Sequence, residues 1–273
     1  MRHDDPRRLV EVEQVMGMPI SVHVVLGHGA HDTDRAAPVV RPAIGRVFDH
    51  LRTVDRVFST YRADSDVLRL ARGELELVDA DPMVEDVLRE ATAAEVATRG
   101  RFSAWWRGWF DPTGLVKGWA VEQATAAHLA PLLSEPYVTA VGVNAGGDLQ
   151  LRTDPASDWR WRVGIADPAD RTAVLATIDV DDGAVATSGT AERGLHVVDP
   201  ATGRPATRVR SATVVADRLS HADLWATAAV VAGFDDLGWL ADADTAQGML
   251  VAPDGRIRRW TGSTEVTVVE RSA

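Results

Sequence analysis

The stretch Asp111-Pro-Thr-Gly-Leu-Val-Lys-Gly-Trp-Ala120 predicts a tight turn that runs directly into a helix. Asp111-Pro112 cannot continue a preceding helix, because proline fixes its own φ and restricts the residue before it. From Leu115 onward the apolar residues recur at helical spacing. The first N–H groups of a helix lack internal partners and its dipole favours negative charge, so this helix start is a natural anion site.

Lys117 lies inside this stretch, between Gly114 and Gly118, and it is the only lysine in the chain. The two glycines allow backbone or ligand to approach closely. A compact ammonium is not equivalent to a guanidinium beside a phosphate or carboxylate. A lysine kept at this one place therefore indicates phosphate or metal-site chemistry, with an accidental surface lysine as the alternative.

The composition limits the classes of protein to consider. The chain has 273 residues, 45% hydrophobic content and a net charge of −11, and this acidic balance argues against nucleic-acid binding. The absence of cysteine excludes disulfides, thiolate nucleophiles and thiolate metal sites. Nothing near Met1 resembles a signal peptide, and no apolar run reaches membrane-spanning length. We therefore expect a cytoplasmic protein without membrane insertion.

Apolar periodicity away from the central stretch predicts helices and strands mixed along the chain. A polar loop is predicted over 28–41, and helices are predicted over 42–58, 81–98 and 220–233, the last capped by Ser220 and closed by Gly233. Strands are predicted over 9–26 (a hairpin), 137–143, 149–151, 159–165, 173–180, 183–186, 195–198, 211–216 and 247–269. This order is not strictly alternating, so it predicts an α+β fold.

The turn Asn144-Ala-Gly-Gly-Asp148 contains the only asparagine in the chain. A hairpin turn with positive φ explains an asparagine and two glycines. The alternative is functional, because Gly146-Gly147 also admits a ligand close to backbone. Neither this turn nor the Lys117 stretch matches G-x-G-x-x-G or the Walker pattern, which excludes a Rossmann site and a P-loop.

Three further places in the chain carry side chains that could bind a metal, move a proton or stack on an aromatic ligand. Asp223 and Thr227 lie four residues apart, hence on one helix face, and their oxygens are hard ligands of the kind that Mg²⁺ prefers. The alternative is an aspartate favoured by the helix dipole and a threonine bonded back to the helix. His196, in a short apolar run, is either structural or functional. Tyr61 is either a half-buried structural residue or a stacking surface for an aromatic ligand.

Five motifs follow one another in order: Met16-Gly17, Asp111-x-x-Gly-x-x-Lys-Gly118, Asn144-Ala-Gly-Gly-Asp148, Ala186-Thr-Ser-Gly…His196-x-x-Asp-Pro-x-x-Gly203 and Ala222-Asp-Leu-Trp-Ala-Thr227. With them the chain resembles the ApbE-like flavin transferases, the FAD:protein FMN transferases, from about Val15 to its end. The resemblance implies an ApbE-like (T-fold-like) α+β fold, with mixed sheets packed with helices in two interleaved subdomains. It implies one flavin transferase domain over 9–273 after a disordered N-terminus over 1–8.

The resemblance also implies a Mg²⁺-dependent reaction. FAD is cleaved at its pyrophosphate, FMN is esterified to a threonine or serine hydroxyl of an acceptor protein, and AMP leaves. This is phosphoryl transfer, in which positioning and charge neutralisation dominate. The implied partners are FAD and the acceptor protein, and the oligomeric state stays open.

Motif matching with the family assigns the site residues. Mg²⁺ is assigned to the side chains of Asp223 and Thr227 and to main-chain oxygens of Gly114 and Ala226. His196 is expected to take the proton from the acceptor hydroxyl or to orient the phosphate, so the catalytic set is His196, Lys117 and Asp223. The expected FAD-binding residues are Met16, Gly17, Tyr61, Asp111, Lys117, Asn144, Gly146, Gly147, Asp148, Ser188 and His196.

The chain departs from the family pattern at several positions. Met18 stands where threonine is usual, Glu122 stands where aspartate is commoner, and the segment before Asp111 is short. Many members are exported lipoproteins, whereas this chain carries neither signal nor cysteine, which implies an intracellular acceptor. Two alternative functions remain, an FAD pyrophosphatase that gives FMN and AMP and a non-catalytic FAD-binding protein. Retention of the metal and phosphate residues together argues against the binding protein.

Overall fold

A computed structural model describes residues 7–27, 33–170, 172–190, 194 and 196–266. Nine of the strands in these residues are β1 Arg7–Val15, β2 Met18–Leu26, β3 Val138–Ala145, β4 Asp148–Thr153, β7 Gly183–Gly189, β10 Ser211–Ala216, β11 Gln247–Val251, β12 Ile257–Thr261 and β13 Thr264–Val266. They form one sheet in the order β1-β2-β3-β4-β7-β10-β11-β12-β13. All of its pairings are antiparallel.

The chain leaves this sheet between β4 and β7 to form a separate hairpin. Its strands are β5 Trp161–Ala166 and β6 Val174–Val180. A second, much shorter pair is formed by β8 Val198–Asp199 and β9 Arg204–Pro205.

The helices are α1 Thr33–Phe58, α2 Asp66–Ala71, α3 Met83–Ala97, α4 Thr113–Ala124, α5 Leu219–Ala232 and α6 Leu240–Ala243. A π-helical turn, Thr125–Leu129, extends α4, and 3₁₀ turns cover Leu77–Asp79 and Ala130–Ser134. The predicted α+β fold is confirmed. Within the described residues, no helix is both long and apolar enough to cross a membrane.

The large sheet is covered on both faces. Alternate residues of β2, such as Val22 and Val24, pack with the helices in the main core. Val25 faces the other way and packs against Trp161 of the β5–β6 hairpin. Because side chains alternate across a strand, the sheet separates a helical layer from a hairpin layer. Helices α4 and α5 are buried on most of their sides, which places them at the centre of the helical layer.

Two tight turns lie side by side at one end of the sheet. Met16 and Gly17 join β1 to β2 with φ of 55° and 74°, and Gly146 and Gly147 join β3 to β4 with φ of 62° and 102°. Two central residues with positive φ match the twist of the flanking strands. Strands β2 and β3 are paired, so both predicted hairpin turns are confirmed and are neighbours.

Several sequence-based boundaries were wrong. Helix α1 begins at Thr33, inside the predicted loop over 28–41, because Ala36 and Val40 join the buried face of the helix; residues 28–32 lie outside the described part. The predicted disordered segment 1–8 overlaps β1 at Arg7 and Arg8, while 1–6 lie outside the described residues. The domain limits 9–273 stay a prediction.

Two predictions near the motifs also need correction. Ser220 does not cap α5; the helix begins at Leu219 and its flanking residue is Arg218. Residue 196 is not in a strand, since β8 begins only at Val198, and residue 195 lies outside the described part.

Candidate active site

Lys117 on α4 contacts two carboxylates that come from two other elements. Its ammonium forms an ion pair with Asp148 Oδ2, at the start of β4, and lies 3.4 Å from Asp223 Oδ2 on α5. The side chains of Asp148 and Asp223 are only 3% and 7% exposed, and that of Lys117 is 20% exposed. Buried charges of this kind need close partners, and the pairing meets that need.

Asp148 also ties this cluster to the sheet. Its second oxygen, Oδ1, accepts a hydrogen bond from the Thr187 N–H at 2.9 Å. The Thr187 hydroxyl lies 2.8 Å from that of Thr213 on β10. Asp148 is therefore held from both sides, by a backbone donor of β7 and by the ammonium of Lys117.

The motif residues of β7 and α5 meet one turn further along the helix. Ser188 Oγ and Thr227 Oγ1 lie 2.9 Å apart, within hydrogen-bond distance. Thr227 follows Asp223 by four residues on α5, so both side chains lie on the same face of the helix. Ala226, between them, is fully buried. The predicted residues Lys117, Asp148, Ser188, Asp223 and Thr227 are thus brought together, and we call them the Lys117 cluster.

The donor chemistry of this cluster fits Mg²⁺. Asp223 offers a carboxylate and Thr227 a hydroxyl on the same helix face, and oxygen donors are what this hard cation takes. No group of three or more His, Cys, Asp or Glu side chains in the described residues could hold a metal ion. The predicted ligand set has one carboxylate, and its other donors are a hydroxyl and main-chain oxygens. The metal assignment to Gly114, Asp223, Ala226 and Thr227 stays a prediction.

Asp111 lies two residues before the start of α4 and is almost fully buried. Its Oδ1 accepts from the Thr113 N–H at 3.2 Å and from the Thr113 hydroxyl at 2.7 Å, and its Oδ2 lies 3.2 Å from an Arg107 nitrogen. The bond from the Thr113 N–H satisfies one of the free N–H groups of the first turn and helps to fix where the helix starts. Gly114 follows in that turn, where an added Cβ would lie 3.1 Å from the Phe102 ring.

The two hairpin turns described above carry the other predicted FAD-binding residues. Asn144 Oδ1 accepts the Gly147 N–H at 2.9 Å, which fixes the turn that leads into Asp148. A Cβ on Gly146 would lie 3.1 Å from the Met18 sulphur, so the two turns touch through Met18. Met16 packs partly against the main core. The turns therefore adjoin the Lys117 cluster through Asp148.

Tyr61 and His196 are placed differently. Tyr61 follows α1 in a turn and is 97% exposed, so it is not the half-buried structural tyrosine of the alternative. His196 is exposed, and its Nδ1 lies 3.1 Å from the Gly194 carbonyl oxygen. None of the hydrogen bonds and ion pairs among the described residues joins either side chain to the Lys117 cluster. Their assignments stay predictions.

Two residues beside the cluster were not among the predicted site residues. At the start of α5, Gln150 accepts a hydrogen bond from the Leu219 N–H and Glu122 accepts one from the Ser220 N–H. The signal for Glu122 was present, because it is the one acidic residue in the otherwise apolar face of the predicted helix. Gln150 gave no signal, since a glutamine in a short strand is usually exposed.

Comparison with known proteins identifies relatives in sequence. FAD:protein FMN transferase from Salmonella typhimurium is 37% identical over 122 residues, which are 41% of this chain and 35% of the relative. The protein of that name from Treponema pallidum is 33% identical over 158 residues, 50% of this chain and 43% of the relative. The chain thus spans less than half the length of these curated relatives.

Two solved structures share the fold over nearly the whole chain. An ApbE protein from Thermotoga maritima superposes with a TM-score of 0.74 at 22% identity, covering 93% of this chain and 97% of that one. The flavin transferase ApbE from Vibrio cholerae gives 0.70 at 20% identity, covering 95% and 98%. A sequence model of the ApbE family matches residues 107–250, which include the Lys117 cluster and α5. As this match covers more than half of the sequence, the chain belongs to the ApbE family.

Proposed function

We propose that the protein is a Mg²⁺-dependent FAD:protein FMN transferase that moves FMN from FAD to a threonine or serine hydroxyl of an acceptor protein. The observation that carries the proposal is the Lys117 cluster, in which the only lysine of the chain meets two buried carboxylates beside paired hydroxyls. The names of the curated relatives support the same activity. The cytoplasmic location stays a prediction.

The proposed reaction exchanges a phosphoanhydride bond of FAD for a phosphoester bond to the acceptor. The acceptor oxygen forms a bond to the FMN phosphorus of FAD, and the bond from that phosphorus to the bridging oxygen of the pyrophosphate breaks. AMP leaves with the bridging oxygen, and the hydroxyl proton goes to a base. Such a transition state needs alignment and neutralisation of negative charge more than it needs covalent help from the protein.

The residues of the cluster would divide these tasks. Lys117 would offer its ammonium to the phosphate oxygens, and Asp148 would hold that ammonium in place through its ion pair. Asp223 and Thr227, with main-chain oxygens of Gly114 and Ala226, would hold Mg²⁺. When bound there, the ion supplies positive charge that polarises the pyrophosphate and stabilises the leaving AMP.

His196 is the proposed base. A carbonyl oxygen only accepts hydrogen bonds, so the contact between Nδ1 and the Gly194 carbonyl favours a proton on Nδ1. In the neutral ring this leaves the lone pair on Nε2, where it can take the proton of an acceptor hydroxyl. Because the side chain is exposed, a docked acceptor protein can reach it.

The deciding experiment measures AMP by chromatography after the protein is incubated with FAD and Mg²⁺, with and without an acceptor domain. Acceptor domains with a flavinylation threonine, and the same domains with that threonine changed to valine, form a matched pair. If the protein is a transferase, AMP and a fluorescent acceptor band should form with the threonine acceptor and not with the valine acceptor. AMP with free FMN in the absence of acceptor would instead identify a pyrophosphatase.

A His196→Ala variant tests the assignment of the base. Its transfer rate should fall by about 100-fold or more, which is the usual contribution of a positioned base. A wild-type rate in this variant would remove His196 from the mechanism without affecting the assignment of the reaction.

A further inference from the structure

We infer that Glu122 is a positioning residue that sets helix α5 against helix α4 and thereby fixes the distance between Asp223 and Lys117. The inference rests on the proposed function for its meaning in catalysis, but its geometric part can be tested without any turnover.

Glu122 lies at the end of α4 and is only 8% exposed. Its Oε2 accepts two hydrogen bonds from one residue of α5, at 3.2 Å from the Ser220 N–H and at 2.5 Å from the Ser220 hydroxyl. Its Oε1 lies 3.7 Å from a guanidinium nitrogen of Arg218. A carboxylate at a helix N-terminus satisfies a free N–H group and interacts favourably with the dipole. Glu122 thus serves as the cap that α5 lacks in its own sequence.

Gly118 brings the two helices into backbone contact at the same point. An added Cβ there would lie 3.0 Å from the Leu219 carbonyl oxygen and 3.1 Å from the Ser220 Cα. Contacts this short leave no space for the helices to approach more closely. Gly118 therefore sets the minimum separation of α4 and α5, while Glu122 holds α5 at that separation.

The face of α5 that Glu122 holds is the face that carries the predicted metal ligands Asp223 and Thr227. Ser220, Asp223 and Thr227 follow one another at spacings of three and four residues, so they lie on one side of the helix. Each is held by a different partner: Ser220 by Glu122, Asp223 by Lys117 and Thr227 by Ser188. Since Glu122 and Lys117 both belong to α4, the first contact fixes the register in which the second is made.

Gln150 provides the corresponding contact to the sheet. Its Oε1 accepts the Leu219 N–H at 2.8 Å, and its amide donates to the Gly183 carbonyl at 3.1 Å. The start of α5 is therefore fixed to β4 by Gln150 even when Glu122 is changed. Loss of Glu122 is expected to shift α5 relative to α4 without releasing it from the sheet.

The test uses the fact that Lys117 is the only lysine. The folded protein is treated with acetic anhydride for increasing times and is then digested. Mass spectrometry of the peptide that contains Lys117 gives the rate at which this lysine is acetylated. In Glu122→Ala the separation from Asp223 grows, so Lys117 should react several-fold faster than in the wild type. In Glu122→Gln, whose side chain can still accept from Ser220, the rate should be closer to that of the wild type.

Thr125→Val is the matched control. Thr125 is fully buried directly after α4, and its hydroxyl donates to the Val121 carbonyl at 2.7 Å, within its own helical segment. This variant lowers stability through the same helix but should leave the Lys117 acetylation rate unchanged. A faster rate in Thr125→Val at equal loss of Tm would mean that stability alone explains the Glu122 effect, and it would overturn the inference.

A second readout is the Mg²⁺ concentration that gives half-maximal AMP formation. Loss of a residue that orients metal ligands typically costs 10- to 100-fold in metal affinity or activity, so Glu122→Ala should raise this concentration by about that factor.

If the wild type forms no AMP, the proposed function fails while the acetylation result still decides the role of Glu122. A wild-type acetylation rate in folded Glu122→Ala overturns the inference. If that variant does not fold, Ser220→Ala, which removes only the 2.5 Å contact, is judged by the same criterion.

Discussion

Lys117 Nζ lies 3.4 Å from Asp223 Oδ2, so two helices remote in sequence meet through opposite charges at the centre of the protein. With Asp148 on its other side, the ammonium is the charge that allows two carboxylates to be buried together.

Lys117→Met should destabilise the fold as well as abolish activity. The variant leaves Asp148 and Asp223 buried without the cation that they share, and removal of one partner of a buried pair costs about 3 kcal/mol or more. Urea unfolding at neutral pH measures the loss. Lys117→Arg keeps the charge and should recover part of the stability, so equal losses in the two variants would contradict this explanation.

Asp223→Ala should keep the fold but remove Mg²⁺-dependent AMP formation by at least about 100-fold, since it takes away the only carboxylate of the predicted metal ligands. Asp217→Ala is the matched control, because that exposed aspartate precedes α5 by two residues. AMP formation is measured over a range of Mg²⁺ concentrations. Unchanged turnover in Asp223→Ala would exclude this residue as a metal ligand.

Two helical glycines should respond in opposite directions to alanine. At Gly118 the new methyl group would press on the backbone of α5, and overpacking of this kind costs about 1–3 kcal/mol. At Gly45 in α1 nothing lies within 4 Å of the added Cβ, so Gly45→Ala should stabilise by about 0.5–1 kcal/mol. Thermal unfolding of the pair checks both signs, and a stabilising Gly118→Ala would contradict the close contact.

Stability should fall as the pH is lowered below about 6.5. Burial, followed by the charge of His128, lowers the pKa of His50, and burial, followed by Arg46, lowers the pKa of His128. Because these pKa values are lower in the folded protein, the unfolded chain binds more protons in this range, and acid favours unfolding. The two rings pack edge to face with centroids 5.9 Å apart, between α1 and the turn after α4.

The free energy of unfolding at pH 7.5 and 5.5 tests this sign. His50→Gln should reduce the difference between the two pH values, since one group of the pair no longer titrates. His23, whose pKa is also lowered by burial and by Arg8, retains part of the pH dependence in that variant. A larger dependence in His50→Gln would be inconsistent with the assignment.

Much of the cluster could be predicted from the sequence, because its residues stand in motifs with rare residue types. Lys117 and Asn144 are each the only residue of their kind, and the turn at Asn144 leads directly to Asp148. The strands and hairpin turns were also predictable, since alternation and paired glycines are local signals. Local patterns of this type fix an element without reference to the rest of the chain.

The remaining contacts depend on residues that are distant in sequence. Glu122 and Ser220 are 98 positions apart, so no local pattern indicates that one caps the helix of the other. The start of α1 was missed for a different reason. Pro38 and Pro42 lie inside this helix against the usual rule, while Ala36 and Val40 are buried on its core face. Burial against the sheet outweighs the helix-breaking preference here.

The β5–β6 hairpin is a place where the chain can be lengthened without a change in the large sheet. The chain leaves the sheet after Thr153 and re-enters it at Gly183, and β4 pairs directly with β7 without using any residue in between. The tip of this hairpin can therefore accept inserted residues, or a fused domain, while the strands that carry Asp148 and Ser188 keep their register. The hairpin is the natural site for attaching a reporter or a tether that leaves the Lys117 cluster undisturbed.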